Sequence, residues 1–100
     1  MTLKDAAPLI IDLATRLVGT DVRMDVSDQT ASDIQGLIDE VVTLSKQKGV
    51  RLRGVRVGGD ILRELGGSTV FINARYAADG ATFIVEEASK VGNVEFAFGQ

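Results

Sequence analysis

Val50-Arg51-Leu52-Arg53-Gly54-Val55-Arg56-Val57-Gly58-Gly59-Asp60 is the stretch on which the fold turns. Before it, apolar residues recur with helical spacing; within it the period drops to two. Val50 and Leu52 point one way and Arg51 and Arg53 the other, until Gly54 resets the alternation so that Val55 and Val57 carry the apolar face. One glycine at the point of a phase change predicts a bulge or bend in a strand. Gly58-Gly59 then breaks the strand, and Asp60-Ile61-Leu62-Arg63-Glu64-Leu65-Gly66-Gly67 reads as a short helix capped by Asp60 and closed by glycine.

Upstream lies an amphipathic helix. Ala31, Ile34, Leu37, Ile38, Val41 and Leu44 form its stripe, Thr30 or Ser32 can cap it, and Lys46-Gln47-Lys48-Gly49 supplies cations and a left-handed stop at its end. Gly36 inside it costs about 1 kcal/mol relative to alanine, which marks either close backbone packing or simple tolerance. A first helix is predicted from Leu3, Ala6, Leu9, Ile10, Leu13, Ala14, Leu17 and Val18, stopping at Gly19. Pro8 is comfortable only in a first turn, so the regular part begins near Ala7. Between the two helices, Val22, Met24 and Val26 share one side of a short strand or extended connection.

Downstream, Val70, Ile72, Ala74 and Tyr76 alternate with Thr69, Phe71, Asn73 and Arg75, and Ala78-Asp79-Gly80-Ala81 is a turn signal before Thr82 to Glu87. The expectation is a β-hairpin. A second turn over Ala88 to Asn93 leads to a last strand with Val94, Phe96 and Phe98 on one face. The whole is predicted to be a single α+β domain over residues 1–100. Two amphipathic helices pack on a small, mainly antiparallel sheet, with a short helix between strands.

Composition narrows the function. The 100 residues are 45% hydrophobic and 25% charged, ordinary for one globular domain. There is no cysteine and no histidine. That removes thiolate nucleophiles, Ser-His and Cys-His pairs, the usual general base and nearly every transition-metal site. No cofactor or metal is called for, and a non-enzymatic role is expected. The amino-terminal apolar run is broken by Asp12 and Arg16, so neither a signal peptide nor a membrane span is expected. The expected location is cytoplasmic, or within an intracellularly assembled particle.

Charge is segregated. Residues 1–40 are net −5, residues 41–63 net +5 and residues 64–100 net −3, giving −3 overall. The basic zone contains Lys46, Lys48, Arg51, Arg53 and Arg56. Alternating arginines can track a phosphate backbone, but no aromatic residue is interleaved with them for base stacking. Neutralisation of acidic surface, in the same molecule or a neighbouring copy, is the favoured reading. Gly58 and Gly59 sit where a strand enters a helix and can in principle cradle phosphate. No Walker lysine follows, however, and Asp60 brings a negative charge. Asp21, Asp25 and Asp28 lack the spacing of a calcium loop, and adjacent Glu86 and Glu87 point to opposite strand faces. These carboxylates read as solvated surface.

The aromatic residues Phe71, Phe83, Phe96, Phe98 and Tyr76 read as core, except that Phe98 lies in a last strand expected at a sheet edge. An apolar edge is a template for another chain. Val94, Phe96, Phe98, Arg51, Arg53 and Arg56 are therefore the interface candidates, with Gly58 and Gly59 as a weaker phosphate site. The function expected is a protein-protein interaction or assembly module, a self-associating subunit of a larger complex such as a phage-type structural particle. The alternative is a nucleic-acid or phospholigand module using residues 46–56.

Overall fold

Thr30 sets the start of the longest helix. In a computed structural model, which describes residues 3–16, 21–67, 69–78, 80–81, 83–88 and 90–99, its hydroxyl accepts from the Asp33 N–H at 3.2 Å. At the far end Gly49 adopts φ 68°, and its N–H reaches back toward the Lys46 carbonyl. Both ends match the sequence expectation. The elements are α1 (Ala7–Arg16, entered through a 3-10 turn over Leu3–Ala6), β1 (Asp21–Asp25), α2 (Ala31–Lys48), β2 (Arg51–Gly58), α3 (Gly59–Leu65), α4 (Thr69–Ala78), β3 (Ile84–Ala88) and β4 (Asn93–Gly99). The expected stop of the first helix at Leu17, Val18 and Gly19 lies outside the described residues.

The architecture is α+β: a four-stranded mixed sheet in the order β1-β4-β2-β3 with the helices on one face. β4 runs antiparallel to both β1 and β2, while β2 and β3 are parallel. The chain leaves β2 through α3 and α4 and returns as β3, a crossover built from two helices. The register shift between β2 and β4 falls between Leu52 and Gly54, where the sequence placed the bulge.

Two expectations about the strands are overturned. Thr69–Ala78 is the helix α4 and not a hairpin strand. Its apolar residues at one parity also satisfy helical spacing. Ile72 and Tyr76, four apart, enter the core, while Val70 and Phe71 stay largely exposed. Further, β4 is interior and not an edge: it pairs on both sides, and Val94, Phe96 and Phe98 are no more than 1% exposed. A strand apolar on one face and flanked by two neighbours buries more surface than the same strand at an edge, which is why this one sits centrally.

The core joins Ile10, Ile11 and Ala14 of α1 with Ile34, Leu37, Ile38 and Val41 of α2. Ile61 and Leu62 of α3 join them, with Val55, Val57, Val85, Val94, Phe96 and Phe98 from the sheet. Leu9 and Leu13, expected on the buried stripe of α1, are instead exposed, because Ala7, Ile10, Ile11 and Ala14 take the inward positions.

Candidate functional site

Side chains alternate across a strand, so each apolar residue facing the helices has a neighbour facing the other way. The second face of the sheet carries Arg23 from β1, Glu95 from β4, Arg56 from β2 and Glu86 from β3. The registers place these four directly opposite one another: Arg23 pairs with Glu95, Glu95 with Arg56, and Arg56 with Glu86. The side chains meet accordingly. Arg23 Nε lies 3.7 Å from Glu95 Oε2, Arg56 Nη1 donates to Glu95 Oε1 at 3.1 Å, and Arg56 Nε lies 3.5 Å from Glu86 Oε2. The result is a ladder of alternating sign spanning every strand. Its centre is the most shielded part, since the Glu95 side chain is 16% exposed against 70% for Arg23 and 60% for Glu86.

The next row of the same face is Asp21, Ala97, Gly54 and Ile84. Ala97 and Gly54 are small, and they floor a shallow groove of about 210 Å³ walled by Arg53, Arg56, Ile84 and Glu86. A Cβ at Gly54 would press on the Ile84 carbonyl at 3.3 Å. Beyond the ladder Asp25 pairs with Asn93, and Gly58 with Ala88. There the Asp25 carboxyl is held below its ordinary value of 3.8, chiefly by the Ser27 N–H and then by the Ser27 hydroxyl.

Of the residues singled out by sequence, Arg51, Arg53 and Arg56 stand exposed on β2. Arg56 belongs to the ladder, and the Arg53 side chain lies across Gly99. Val94, Phe96 and Phe98 are core residues and have no surface to offer a partner. Gly58 and Gly59 stand at the β2 to α3 junction, but the surroundings do not suit an anion. The Glu87 carboxylate fills the space a Gly59 side chain would need. Asp60 does not cap its own helix: its Oδ1 accepts from the Gly92 N–H at 3.2 Å, tying α3 to the turn between β3 and β4. Gly58 is required because a Cβ there would meet the Gly92 amide at 2.8 Å and the Lys90 carbonyl at 3.0 Å.

Arg23 and Glu95 are not singled out by sequence reasoning, and Glu86 reads there only as solvated surface. Glu95, between Val94 and Phe96, is visibly outward-facing in the alternation, but only the strand order brings it between two arginines.

A second polar cluster joins α2 to α4. Tyr76 donates to Asp39 Oδ1 at 2.9 Å and receives a hydrogen bond from Gln35 Nε2, while Arg75 approaches Asp39 Oδ2 at 3.5 Å. Burial first, and then the Asp39 charge and hydrogen bond, push the Tyr76 phenol well above its ordinary value, so it keeps its proton. The Tyr76 ring packs on Phe83 with centroids 5.1 Å apart. This is a structural clasp between two helices.

Among the described residues, no group of three or more His, Cys, Asp or Glu side chains is arranged to hold a metal ion. Nor is any helix among them long and apolar enough to cross a membrane. No protein-family model, curated protein or solved structure matches the chain.

Proposed function

We propose that the chain is a non-enzymatic protein-protein interaction module, a self-associating subunit of a larger assembly inside the cell, and that its contact surface is the open face of the sheet. The observation that carries this reading is the Arg23-Glu95-Arg56-Glu86 ladder. The face is covered by no helix of the described chain, holds side chains in fixed register, and alternates in charge instead of presenting one sign. An arrangement of that kind discriminates between partners through complementary potentials. The absence of imidazole and thiol from the sequence leaves little for chemistry and is consistent with this role.

A phosphate-binding role for Arg51, Arg53 and Arg56 is less favoured. Arg56 is already engaged by two carboxylates, which a phosphate would have to displace. Sedimentation velocity over a concentration series reaching the millimolar range tests the proposal. Association that weakens as salt is raised is expected, and a monomer throughout would contradict it.

A further inference from the structure

The order of signs in the ladder has a symmetry property. Counted across the sheet from β1 to β3 it runs plus, minus, plus, minus. Turned about a two-fold axis that lies along the strands between β4 and β2, a second copy placed face to face presents the same sequence reversed. Every charge then meets its opposite: Arg23 faces Glu86 of the second copy, and Glu95 faces its Arg56. A two-fold axis across the strands would instead bring each charge onto its own like, so the ladder selects one of the two face-to-face arrangements.

We infer that the open face pairs with the same face of a second copy of this chain about a two-fold axis parallel to the strands, with Arg23–Glu86 and Arg56–Glu95 as its intermolecular ion pairs. The inference rests on the self-association reading above and adds the occupant and its orientation.

The neighbouring rows agree. On either side of the axis the next row offers Ala97 opposite Gly54 of the second copy, the smallest side chains on the face, which lets the sheets approach. Among the residues paired in register no like charges come directly opposite; Arg53, in the bulge on the same face, stands outside these pairs. Asp21 meets Ile84, Asp25 meets Ala88 and Arg51 meets Gly99, while Gly58 lies beneath the Lys90–Gly92 turn and takes no part. An interface of this form is isologous, as two-fold dimers require, with the sheets roughly 10 Å apart.

Size sets the strength. Four strands span about 19 Å, so the two faces together bury on the order of 800 Å². That is below the size of a standard stable interface. The dimer is therefore weak in isolation, with a dissociation constant on the order of micromolar or above, and loosened by salt.

Arg23 and Glu86 stand on the two outer strands, about 14 Å apart within one chain, too far to touch. A coupling between them therefore reports contact between chains. The test uses Arg23→Glu and Glu86→Arg, each as a single variant of the full chain, measured alone and as an equimolar mixture by sedimentation. Both side chains are exposed, and circular dichroism checks that each variant keeps its fold. Each variant alone puts like charges together twice, and its self-association is expected to weaken about tenfold or more. In the mixed dimer both contacts are opposite in sign again. At one, the two substituted positions face each other as a pair of reversed polarity; at the other, the unaltered Glu86 of the first variant faces the unaltered Arg23 of the second. Association of the mixture is expected to return to within a few-fold of the unaltered chain. A mixture as weak as its components, while the unaltered chain still associates, overturns the two-fold geometry and leaves the self-association reading standing. An unaltered chain that is monomeric to millimolar concentration overturns both, and the face then serves a different partner.

Discussion

The side-chain amide of Asn73 stands in for a missing strand beside Val85. Its Oδ1 accepts from the Val85 N–H at 2.6 Å and its Nδ2 donates to the Val85 carbonyl at 3.0 Å. Val85 belongs to β3, the outer strand beside β2, and these main-chain groups point away from the sheet toward α4. An exposed strand edge invites further pairing. Here one amide from a helix closes the β3 edge at its centre.

Asn73→Ala is expected to leave the Val85 N–H and carbonyl without their partners. The cost is about 1–3 kcal/mol of folding stability, measured by urea denaturation, together with faster aggregation by light scattering. Asn73→Asp keeps the acceptor and loses the donor, and an intermediate loss is expected.

Tyr76 ties stability to alkaline pH. Its phenol has an ordinary value of 10.0 and titrates above that in the fold, so between the two values the folded chain holds a proton that the unfolded chain has lost. Stability from this group is complete below pH 10 and falls as pH rises above it. Tyr76→Phe is expected to lower stability by about 1.5–3 kcal/mol at neutral pH, through loss of the bond to the Asp39 carboxylate. The same variant is expected to flatten the decline above pH 10, as read from denaturation midpoints. Equal declines in both proteins would contradict the assigned role.

Two glycines should respond to alanine in opposite ways. Nothing lies within 4 Å of a Cβ at Gly36 in α2, whereas one at Gly58 collides with main-chain atoms near Gly92. Gly36→Ala is expected to gain about 0.5–1 kcal/mol. Gly58→Ala is expected to lose more than that, with part of the loss arising in the turn between β3 and β4. Thermal or urea unfolding reads both.

Within one chain the ladder itself is worth little, because its outer members are exposed. Arg23→Ala and Glu86→Ala are each expected to change folding stability by under about 0.5 kcal/mol. Arg56→Glu, which opposes carboxylates on both neighbouring strands, is expected to cost up to about 2 kcal/mol. Urea denaturation of each variant checks these values.

How much of the structure is legible in the sequence follows from what is local. The cap at Thr30, the left-handed stop at Gly49 and the bulge near Gly54 are all fixed by a few adjacent residues, and all appear as read. The start of α1 at Ala7, dictated by Pro8, is of the same kind. The segment Thr69–Ala78 reads as a strand and folds as a helix because Val70, Ile72, Ala74 and Tyr76 fit both a two-residue and a four-residue period. What decides between them is the packing of Ile72 and Tyr76 and the edge contact of Asn73, none of which is local. Strand order is hidden for the same reason. The charges of the ladder are plain in the sequence at Arg23, Arg56, Glu86 and Glu95, but their alternation exists only once β4 lies between β1 and β2.

The most direct test of the open face as the contact surface is a dilution series followed by amide chemical shifts. Moving from millimolar to micromolar concentration, shifts are expected to change at Arg23, Arg56, Glu86, Glu95 and Ala97 and to stay fixed at Leu9, Leu13 and the rest of the exposed helix surface. Shifts that move on α1 while the sheet face stays silent would contradict it.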